Sequence, residues 1–248
     1  MELLFEEATL FKRYIEGIAV LVDEAEFIID EAGLSLKATD PSQISLIDFI
    51  LPKTAFKTFE VKDQIKIGVD LNYLNQIISR AKPSDSLGLT VSTDNSKLNL
   101  SFIGSSKRTF SIPLLDLSSA ELPLPKIDFD SEIVINSSAL QDSFKDALLI
   151  STHITLSIEK DSFIVKANSS KGNLENVYAN DAESIVSFKA TNETTAMFPL
   201  DYLLSVTKAA STSTKVKLKL KTNAPIEISY EIGEGKFKYF LAPRIESE

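Results

Sequence analysis

The sequence contains no cysteine and a single histidine, His153, among its 248 residues. The lack of cysteine excludes disulfides, zinc-thiolate sites and thiol nucleophiles, although it does not by itself indicate a cellular compartment. One histidine is too few for metal sites built from two or three imidazoles. No apolar run of about 18 residues occurs, so no membrane span is predicted. The first residues also lack the basic and apolar regions of a secretory signal.

The bulk composition is that of a soluble globular protein. Hydrophobic residues make up 44% and charged residues 25%, which is enough apolar material for a sizeable core. The length predicts one or two domains. The net charge of −9 argues against a nucleic-acid partner on a simple view. Net charge does not locate the charges, however, and an acidic protein can still carry a basic stripe.

Two stretches of the sequence recur at one offset. Residues 71–74 (LNYL) recur as residues 200–203 (LDYL), and residues 34–38 recur as residues 163–167 with the same apolar alternation. The interval from 71 to 200 and the interval from 34 to 163 are both 129 residues. Chance similarity between common helix and strand patterns is the alternative. Two matches in the same order favour an internal repeat.

Both halves of the chain show the same order of periodicities. Apolar residues three and four apart predict helices over residues 10–21 and 71–81, with counterparts over residues 140–149 and 200–210. Alternating apolar residues predict strands between and after the helices. The clearest alternations are Leu34, Leu36 and Ala38; Leu98, Leu100 and Phe102; Val216, Leu218 and Leu220; and Ile226, Ile228 and Tyr230. Each half is therefore predicted to be an α+β unit, with two amphipathic helices covering antiparallel sheets.

The joint between the halves is predicted at residues 118–131. Pro123 and Pro125 interrupt it, and Glu121, Asp128 and Asp130 make it acidic. Proline fixes φ and removes a donor, so an extended and exposed connector is expected. The predicted domains are residues 1–117 and 132–248.

No catalytic motif is present in the sequence. The stretch from Gly233 to Lys236 lacks the spacing and the Ser or Thr of a phosphate loop, and no GxGxxG follows a strand. A Ser-His-Asp triad would need His153, which has no supporting motif and is interpreted as a solvated polar residue. Adjacent carboxylates such as Asp23 and Glu24 are expected on the solvated faces of a chain with 35 acidic residues. We therefore predict no enzyme activity, no metal and no cofactor.

Four lysines alternate along one predicted strand, at Lys215, Lys217, Lys219 and Lys221. One interpretation is a nucleic-acid stripe. The other is a solvated strand face on which lysines discourage edge-to-edge aggregation, and this second interpretation is favoured.

Three segments then resemble the proliferating-cell-nuclear-antigen type of DNA sliding clamp. Residues 40–46 (DPSQISL) resemble a loop and strand of that family, and residues 68–71 (GVDL) resemble its strand into a second helix. Residues 238–246 (KYFLAPRIE) are similar to its C-terminal signature, which is the most specific match. The resemblance covers the whole chain.

The resemblance implies one subunit of a closed ring of six domains, made by three subunits, with helices lining the hole. Such a ring encircles double-stranded DNA and tethers DNA polymerase, flap endonuclease and DNA ligase as a processivity factor, after a clamp loader has opened it. A homotrimer and a heterotrimer both remain open. So does a clamp-fold hub that docks peptides in DNA-damage signalling rather than replication. The implied location is intracellular and DNA-associated: cytoplasm or nucleoid in an archaeon, nucleus in a eukaryote.

The resemblance also implies three sets of site residues. The DNA-facing set is Lys12, Arg13, Arg80, Lys82, Lys145 and Lys208. The pocket for a client peptide is Ile44, Leu46, Leu122, Leu124, Pro225, Phe240, Ala242, Pro243 and Ile245. The subunit interface pairs residues 107–115 with residues 173–180, through Lys107, Arg108, Phe110, Glu175, Val177 and Tyr178. Two departures from the family are Ala19, where some relatives have lysine, and Gln43, where eukaryotic relatives have histidine.

Overall fold

A computed structural model describes residues 1–117 and 122–245. Glu121 and Glu246, which belong to the predicted connector and C-terminal signature, lie outside the described residues. The chain forms two compact units. Within the described residues, unit 1 consists of Met1–Pro41, Ile47–Pro123 and Ile232–Phe237, and unit 2 of Ser42–Leu46, Leu124–Glu231 and the chain from Lys238 onward.

The secondary structure repeats once along the chain. The first half contains β1 (Glu2–Phe5), α1 (Ala8–Ala19), β2 (Glu24–Asp30), β3 (Gly33–Thr39), β4 (Ser45–Pro52), β5 (Thr58–Glu60), β6 (Ile65–Asp70), α2 (Leu71–Ile78), β7 (Ser86–Val91), β8 (Lys97–Ile103) and β9 (Lys107–Pro113). The second half contains β10 (Ser131–Asn136), α3 (Ser137–Leu148), β11 (His153–Ile158), β12 (Ser162–Ser169), β13 (Gly172–Ala179), β14 (Ile185–Ala190), β15 (Thr194–Pro199), α4 (Leu200–Thr207), β16 (Lys215–Leu220), β17 (Ile226–Ile232) and β18 (Gly235–Leu241). The predicted α+β repeat is confirmed.

The strand order in the sheets repeats as well. In the first half, strands lie in the orders β5-β1-β7-β8-β9 and β4-β3-β2-β6. The second half has β14-β10-β16-β17-β18 and β13-β12-β11-β15, which are the same two orders with each strand replaced by its counterpart. Strands β18 and β4 are neighbours. The Phe49 and Phe237 rings are 4.7 Å apart in unit 1, and Ala242 N donates to Ile44 O at 2.8 Å in unit 2.

The helices have the predicted amphipathic faces but not the predicted ends. Helix α1 buries Phe11, Tyr14, Ile15 and Ile18, at the spacing that places side chains on one face. It begins two residues before the predicted start, and α3 begins three residues early because it follows β10 without a loop. Helices α2 and α4 each end three residues earlier than predicted.

The early end of α2 and α4 has a local backbone cause. After α2, Arg80 N and Ala81 N bond to carbonyls three residues back, at 3.0 Å each, and the chain tightens into a turn. After α4, Ala210 N bonds to Thr207 O in the same way at 3.1 Å. The apolar periodicity continues through both turns, so periodicity alone made these two helix predictions too long.

The predicted strands are confirmed by alternating burial. Leu98, Leu100 and Phe102 are buried on β8, with half-buried or exposed residues between them. Val216, Leu218 and Leu220 do the same on β16. Apolar faces of this kind supply most of the burial that stabilises each unit.

The stretch from Gly233 to Lys236 is a turn and not a phosphate loop. Gly233 has φ +54°, in the left-handed region that favours glycine. A Cβ on Gly235 would lie 2.6 Å from the Tyr14 ring, which itself lies 6.3 Å from the Phe237 ring in the core of unit 1. Burial raises the pKa of the Tyr14 hydroxyl. The two glycines therefore serve backbone geometry and close packing.

We expect Gly235→Ala to destabilise the chain by about 1–3 kcal/mol, because overpacking a filled core forces shifts in its neighbours. Equilibrium unfolding in urea measures the effect through the transition midpoint. Gly88→Ala is the matched control, since its added Cβ would meet no atom closer than 3.7 Å. Equal midpoints for both variants would contradict this account of Gly235.

Candidate functional site

The predicted DNA-facing residues of unit 1 lie on α1 and in the turn after α2. Lys12 and Arg13 are half-buried on α1, and Lys12 Nζ lies 3.6 Å from the Glu16 carboxylate. Arg80 and Lys82 are exposed, but they follow the last residue of α2 and are not on a helix. Helix α2 ends at Ile78 with Ser79 as its C-cap, so both side chains lie just beyond the end of the helix.

The predicted DNA-facing residues of unit 2 are both exposed. Lys145 lies on α3, with its Nζ 3.1 Å from the Asp142 carboxylate, and Lys208 caps the C-terminal end of α4. The polar face of α3 also carries Asp146. A carboxylate therefore accompanies the lysine on α3, as Glu16 does on α1. Exposed ion pairs of this kind are weak, so a phosphate can readily replace the carboxylate as the partner of the lysine.

Most of the predicted peptide pocket lies in unit 2. The C-terminal segment, which follows β18, is held by two backbone hydrogen bonds of 2.8 Å, from Ala242 N to Ile44 O and from Arg244 N to Met197 O. Exposure varies along the set: Ile44 and Ile245 are exposed, Leu46, Leu124, Pro225, Ala242 and Pro243 are half-buried, and Phe240 is buried. Because Phe240 is only 5% exposed on β18, it can support the floor of a pocket but offers little surface to a ligand.

The connector leucines alternate with prolines, as the sequence predicts. Leu122 and Leu124 are half-buried, and Pro123 and Pro125 are exposed. Leu122 belongs to unit 1 and Leu124 to unit 2. Gln43, the residue that departs from eukaryotic relatives, has φ +57° in the loop before β4.

The two predicted interface segments are both edge strands. Within residues 1–117 and 122–245, β9 pairs only with β8, and β13 pairs only with β12. Each therefore has a row of backbone donors and acceptors along its outer side. Val177 is 55% exposed on β13, whereas the Tyr178 hydroxyl turns inward, 2.6 Å from Ser143 Oγ.

Two of the predicted interface residues, Arg108 and Glu175, have charged partners within their own chain. The Arg108 guanidinium forms an ion pair with Asp85, which is 3% exposed, and lies 5.1 Å over the Phe102 ring. The Glu175 carboxylate is 3.3 Å from Lys166 Nζ. An attraction between Arg108 of one copy and Glu175 of a neighbouring copy would therefore compete with these two internal ion pairs. Asp85 was missed because no spacing in the sequence connects it to Arg108.

The lysine-bearing strand is β16, and it lies between β10 and β17. The favoured interpretation, that its lysines protect an exposed edge, is therefore wrong. Lys217 Nζ is 3.6 Å from the Glu132 carboxylate on one neighbouring strand, and Lys219 Nζ is 3.0 Å from the Glu227 carboxylate on the other. Lys217 and Lys219 therefore each face a carboxylate on a neighbouring strand.

His153 is half-buried at the start of β11. Its Nδ1 lies 3.0 Å from Thr152 Oγ1 and 3.2 Å from the Arg244 guanidinium. Burial and the Arg244 charge lower the pKa of the imidazole, against the opposing effect of Asp201. The lowered pKa makes this imidazole harder to protonate than that of a free histidine.

Neither a metal cluster nor a membrane span occurs within the described residues. Among them, no three His, Asp or Glu side chains are grouped so as to hold a metal ion. No helix in the same ranges is both long and apolar enough to cross a membrane.

Comparison with known proteins agrees with this geometry. Residues 1–132 match the proliferating cell nuclear antigen N-terminal domain, and residues 123–245 match its C-terminal domain. A DNA polymerase sliding clamp from Methanococcus vannielii is 36% identical over 240 residues, which cover 96% of each chain. The repeated two-helix α+β unit and its open edge strands define the architecture of a sliding clamp.

The chain belongs to the proliferating cell nuclear antigen family. A solved structure of A. fulgidus PCNA with the C-terminal region of FEN-1 bound is 27% identical, with a TM-score of 0.91 and coverage of 100% of this chain and 99% of that one. The fold is also that of PCNA from Thermococcus kodakaraensis, with a TM-score of 0.94 at 22% identity and coverage of 98% and 99%.

Proposed function

We propose that this chain is a DNA sliding-clamp subunit that assembles with two further clamp subunits into a ring around duplex DNA. Family membership supports the clamp role, and the repeated strand order supports the ring. Counterparts in the two halves are β9 with β18, and β4 with β13. Because β18 and β4 are neighbours in one chain, their counterparts β9 and β13 are suited to pair between copies. This equivalence is the observation that carries the proposal.

Pairing between copies would give partners to the outer backbone donors and acceptors of β9 and β13. Neither strand is very short, and β13 places the exposed Val177 in its middle. Long edges with apolar side chains are prone to pair with another chain. A heterologous contact closes into a ring when its rotation permits closure. Three chains with two similar halves each would place six similar units around the ring.

We expect Val177→Lys to weaken assembly at least tenfold, because it replaces an exposed apolar side chain of the proposed interface by a charge whose burial without a partner is costly. Light scattering of the pure chain, and of mixtures with sister clamp chains if the organism has them, measures the assembled mass. Val186→Lys is the matched control, since Val186 is 46% exposed on another edge strand, β14. A monomer in every mixture of unaltered chains would contradict the ring.

The proposed DNA surface consists of the polar helix faces that carry Lys12, Arg13, Lys145 and Lys208. Arg80 and Lys82 are proposed as flanking contacts from the turn after α2. Contacts between lysine or arginine and phosphate do not depend on sequence and are sensitive to salt, which suits a protein that must slide. The carboxylates beside Lys12 and Lys145 reduce the net attraction. Together with Ala19, they favour a loose grip on DNA.

The proposed client site is the outer surface around the connector leucines and the C-terminal segment that follows β18. In the solved A. fulgidus structure, the C-terminal region of FEN-1 is bound to a clamp of this family. We propose that this chain binds similar segments of a flap endonuclease, a DNA polymerase and a DNA ligase. A clamp loader opens the ring, and the clamp itself makes and breaks no bonds. This role places it on DNA inside the cell.

A peptide-docking hub in DNA-damage signalling is the second candidate. It would use the same fold and the same client pocket. The proposed DNA-facing lysines and arginine favour the replication clamp, because a hub that only docks peptides does not need cations on its helix faces. Stimulation of a polymerase by the loaded ring separates the two roles.

A further inference from the structure

The far end of the lysine row on β16 contacts the connector. Lys217, in the middle of the row, is paired with Glu132 on the neighbouring strand. Lys219 and Lys221 instead reach residues that precede β10. Lys221 Nζ donates to the backbone carbonyl of Asp128 at 3.2 Å, and Lys219 Nζ lies 5.8 Å from the centre of the Phe129 ring.

Lys219 is held in place by a carboxylate that is almost buried. Glu227 is 7% exposed, and its Oε1 lies 3.0 Å from Lys219 Nζ. Withdrawing the ammonium would leave that charge without its partner in a poorly solvated position, which is costly. The ammonium is therefore fixed where it can attract the face of the Phe129 ring.

Residues 127–130 of the connector line an open polar cleft. The cleft has a volume of about 440 Å³ and is lined by Phe129 and Lys219 together with Ile127, Lys189 and Thr191. Just beyond it, Asp130 N donates to Leu220 O at 3.1 Å and Thr191 N donates to Asp130 O at 2.9 Å.

Leu124 lies four residues upstream of Asp128 in the same connector. An extended chain of four residues spans at most about 14 Å. Pro125 limits the backbone freedom between the two positions. A displacement at Asp128 or Phe129 is therefore passed on to Leu124, whose side chain belongs to the proposed client pocket.

We infer that Phe129, Lys219 and Lys221 form a latch that positions Leu124 for client binding. This connector latch rests on the proposed client pocket, and none of its three residues belongs to that pocket. They are positioning residues. The latch gives a role to Lys219 and Lys221 at the end of the lysine row, whereas Lys217 is paired with Glu132 on β10.

The test combines Phe129→Ala with Lys221→Ala and leaves Lys219 intact, so that Glu227 keeps its partner. Calorimetry with a peptide of the FEN-1 C-terminal region should show binding about fivefold weaker than wild type, which is about 1 kcal/mol at 1.4 kcal/mol per tenfold. Amide hydrogen exchange at residues 122–127 should become faster. Phe129→Tyr with Lys221→Arg keeps the ring and the cation, and it should restore affinity to within about twofold of wild type.

Lys215→Ala with Lys217→Ala is the matched control, because it removes two cations from the same strand face. Equal loss of affinity in this control would overturn the latch in favour of a general charge effect. Unchanged affinity in the Phe129/Lys221 variant, together with weakened binding when Leu124 is replaced, would overturn the latch and leave the client pocket standing. Absence of peptide binding to the wild-type ring would overturn both. If the double variant does not fold, Lys221→Ala alone carries the same test.

Discussion

Replacing Lys12, Arg13, Lys145 and Lys208 together by glutamate is expected to abolish the stimulation of a DNA polymerase by the loaded ring. Each replacement changes the charge by two units, so the chain moves from −9 to −17. All four side chains lie on helices or at a helix end, and Lys145 and Lys208 are exposed. Phosphate contacts supply most of the sequence-independent affinity for DNA, and reversal replaces them by repulsion. Processive synthesis on primed circular DNA measures the loss.

A control with the same net charge separates the position of the charges from their number. Lys37, Lys53, Lys62 and Lys97 are exposed and lie outside α1 to α4. Reversing these four to glutamate also gives −17, and it should leave stimulation largely intact. Unchanged processivity in the helix-face variant would show that the DNA surface is wrongly assigned. Equal loss in both variants would indicate that total charge, and not the helix faces, governs the effect.

The second large effect is expected at the connector. Replacing Leu122 and Leu124 by alanine should weaken a client peptide at least tenfold while leaving the mass of the ring unchanged. Both leucines are half-buried and alternate with exposed prolines, so each retains apolar surface for a ligand. Truncating an anchor residue of a docking site costs about 2 kcal/mol or more. Calorimetry with the FEN-1 C-terminal peptide gives the affinity, and light scattering gives the mass.

The matched control replaces two other leucines that lie on the surface. Leu148 and Leu149 are 53% and 75% exposed at the end of α3, outside the proposed pocket. Their replacement by alanine should leave peptide affinity within about twofold of wild type, since surface substitutions away from a site have small effects. A peptide that binds the Leu122/Leu124 variant as tightly as the wild type would remove the connector from the client site.

The repeat and its strands were predictable because they follow from apolar spacing. Residues 71–74 and 200–203 share a pattern because each opens the second helix of its half, and Leu71 and Leu200 are both buried. The apolar alternation on β8 and β16 corresponds to alternating burial, because one face of each strand is buried. Helix ends were less predictable, since a tight turn after Ile78 or Thr207 keeps the apolar spacing but changes the hydrogen bonding.

Contacts between distant residues were not predictable from one sequence. Alternation along the lysine row does not say which strands lie on either side, so the sequence could not distinguish an edge strand from an inner one. The fold places β16 between two strands that supply Glu132 and Glu227. Likewise, His153 approaches Arg244 because β11 pairs with β15, and Arg244, in the segment after β18, forms a bridge to Met197 on β15. Such pairs depend on tertiary structure, which no local pattern encodes.

Loader-dependent polymerase stimulation on primed circular DNA shows whether the assembled chain encircles DNA. The ring, formed from this chain alone or with its sister subunits, should extend synthesis when a clamp loader and ATP are present. Cutting the circle beforehand should reduce the effect, because a ring that is not tied to sequence slides off free ends. No stimulation on the circle by any assembled form of the chain, or equal stimulation without the loader, would contradict the account.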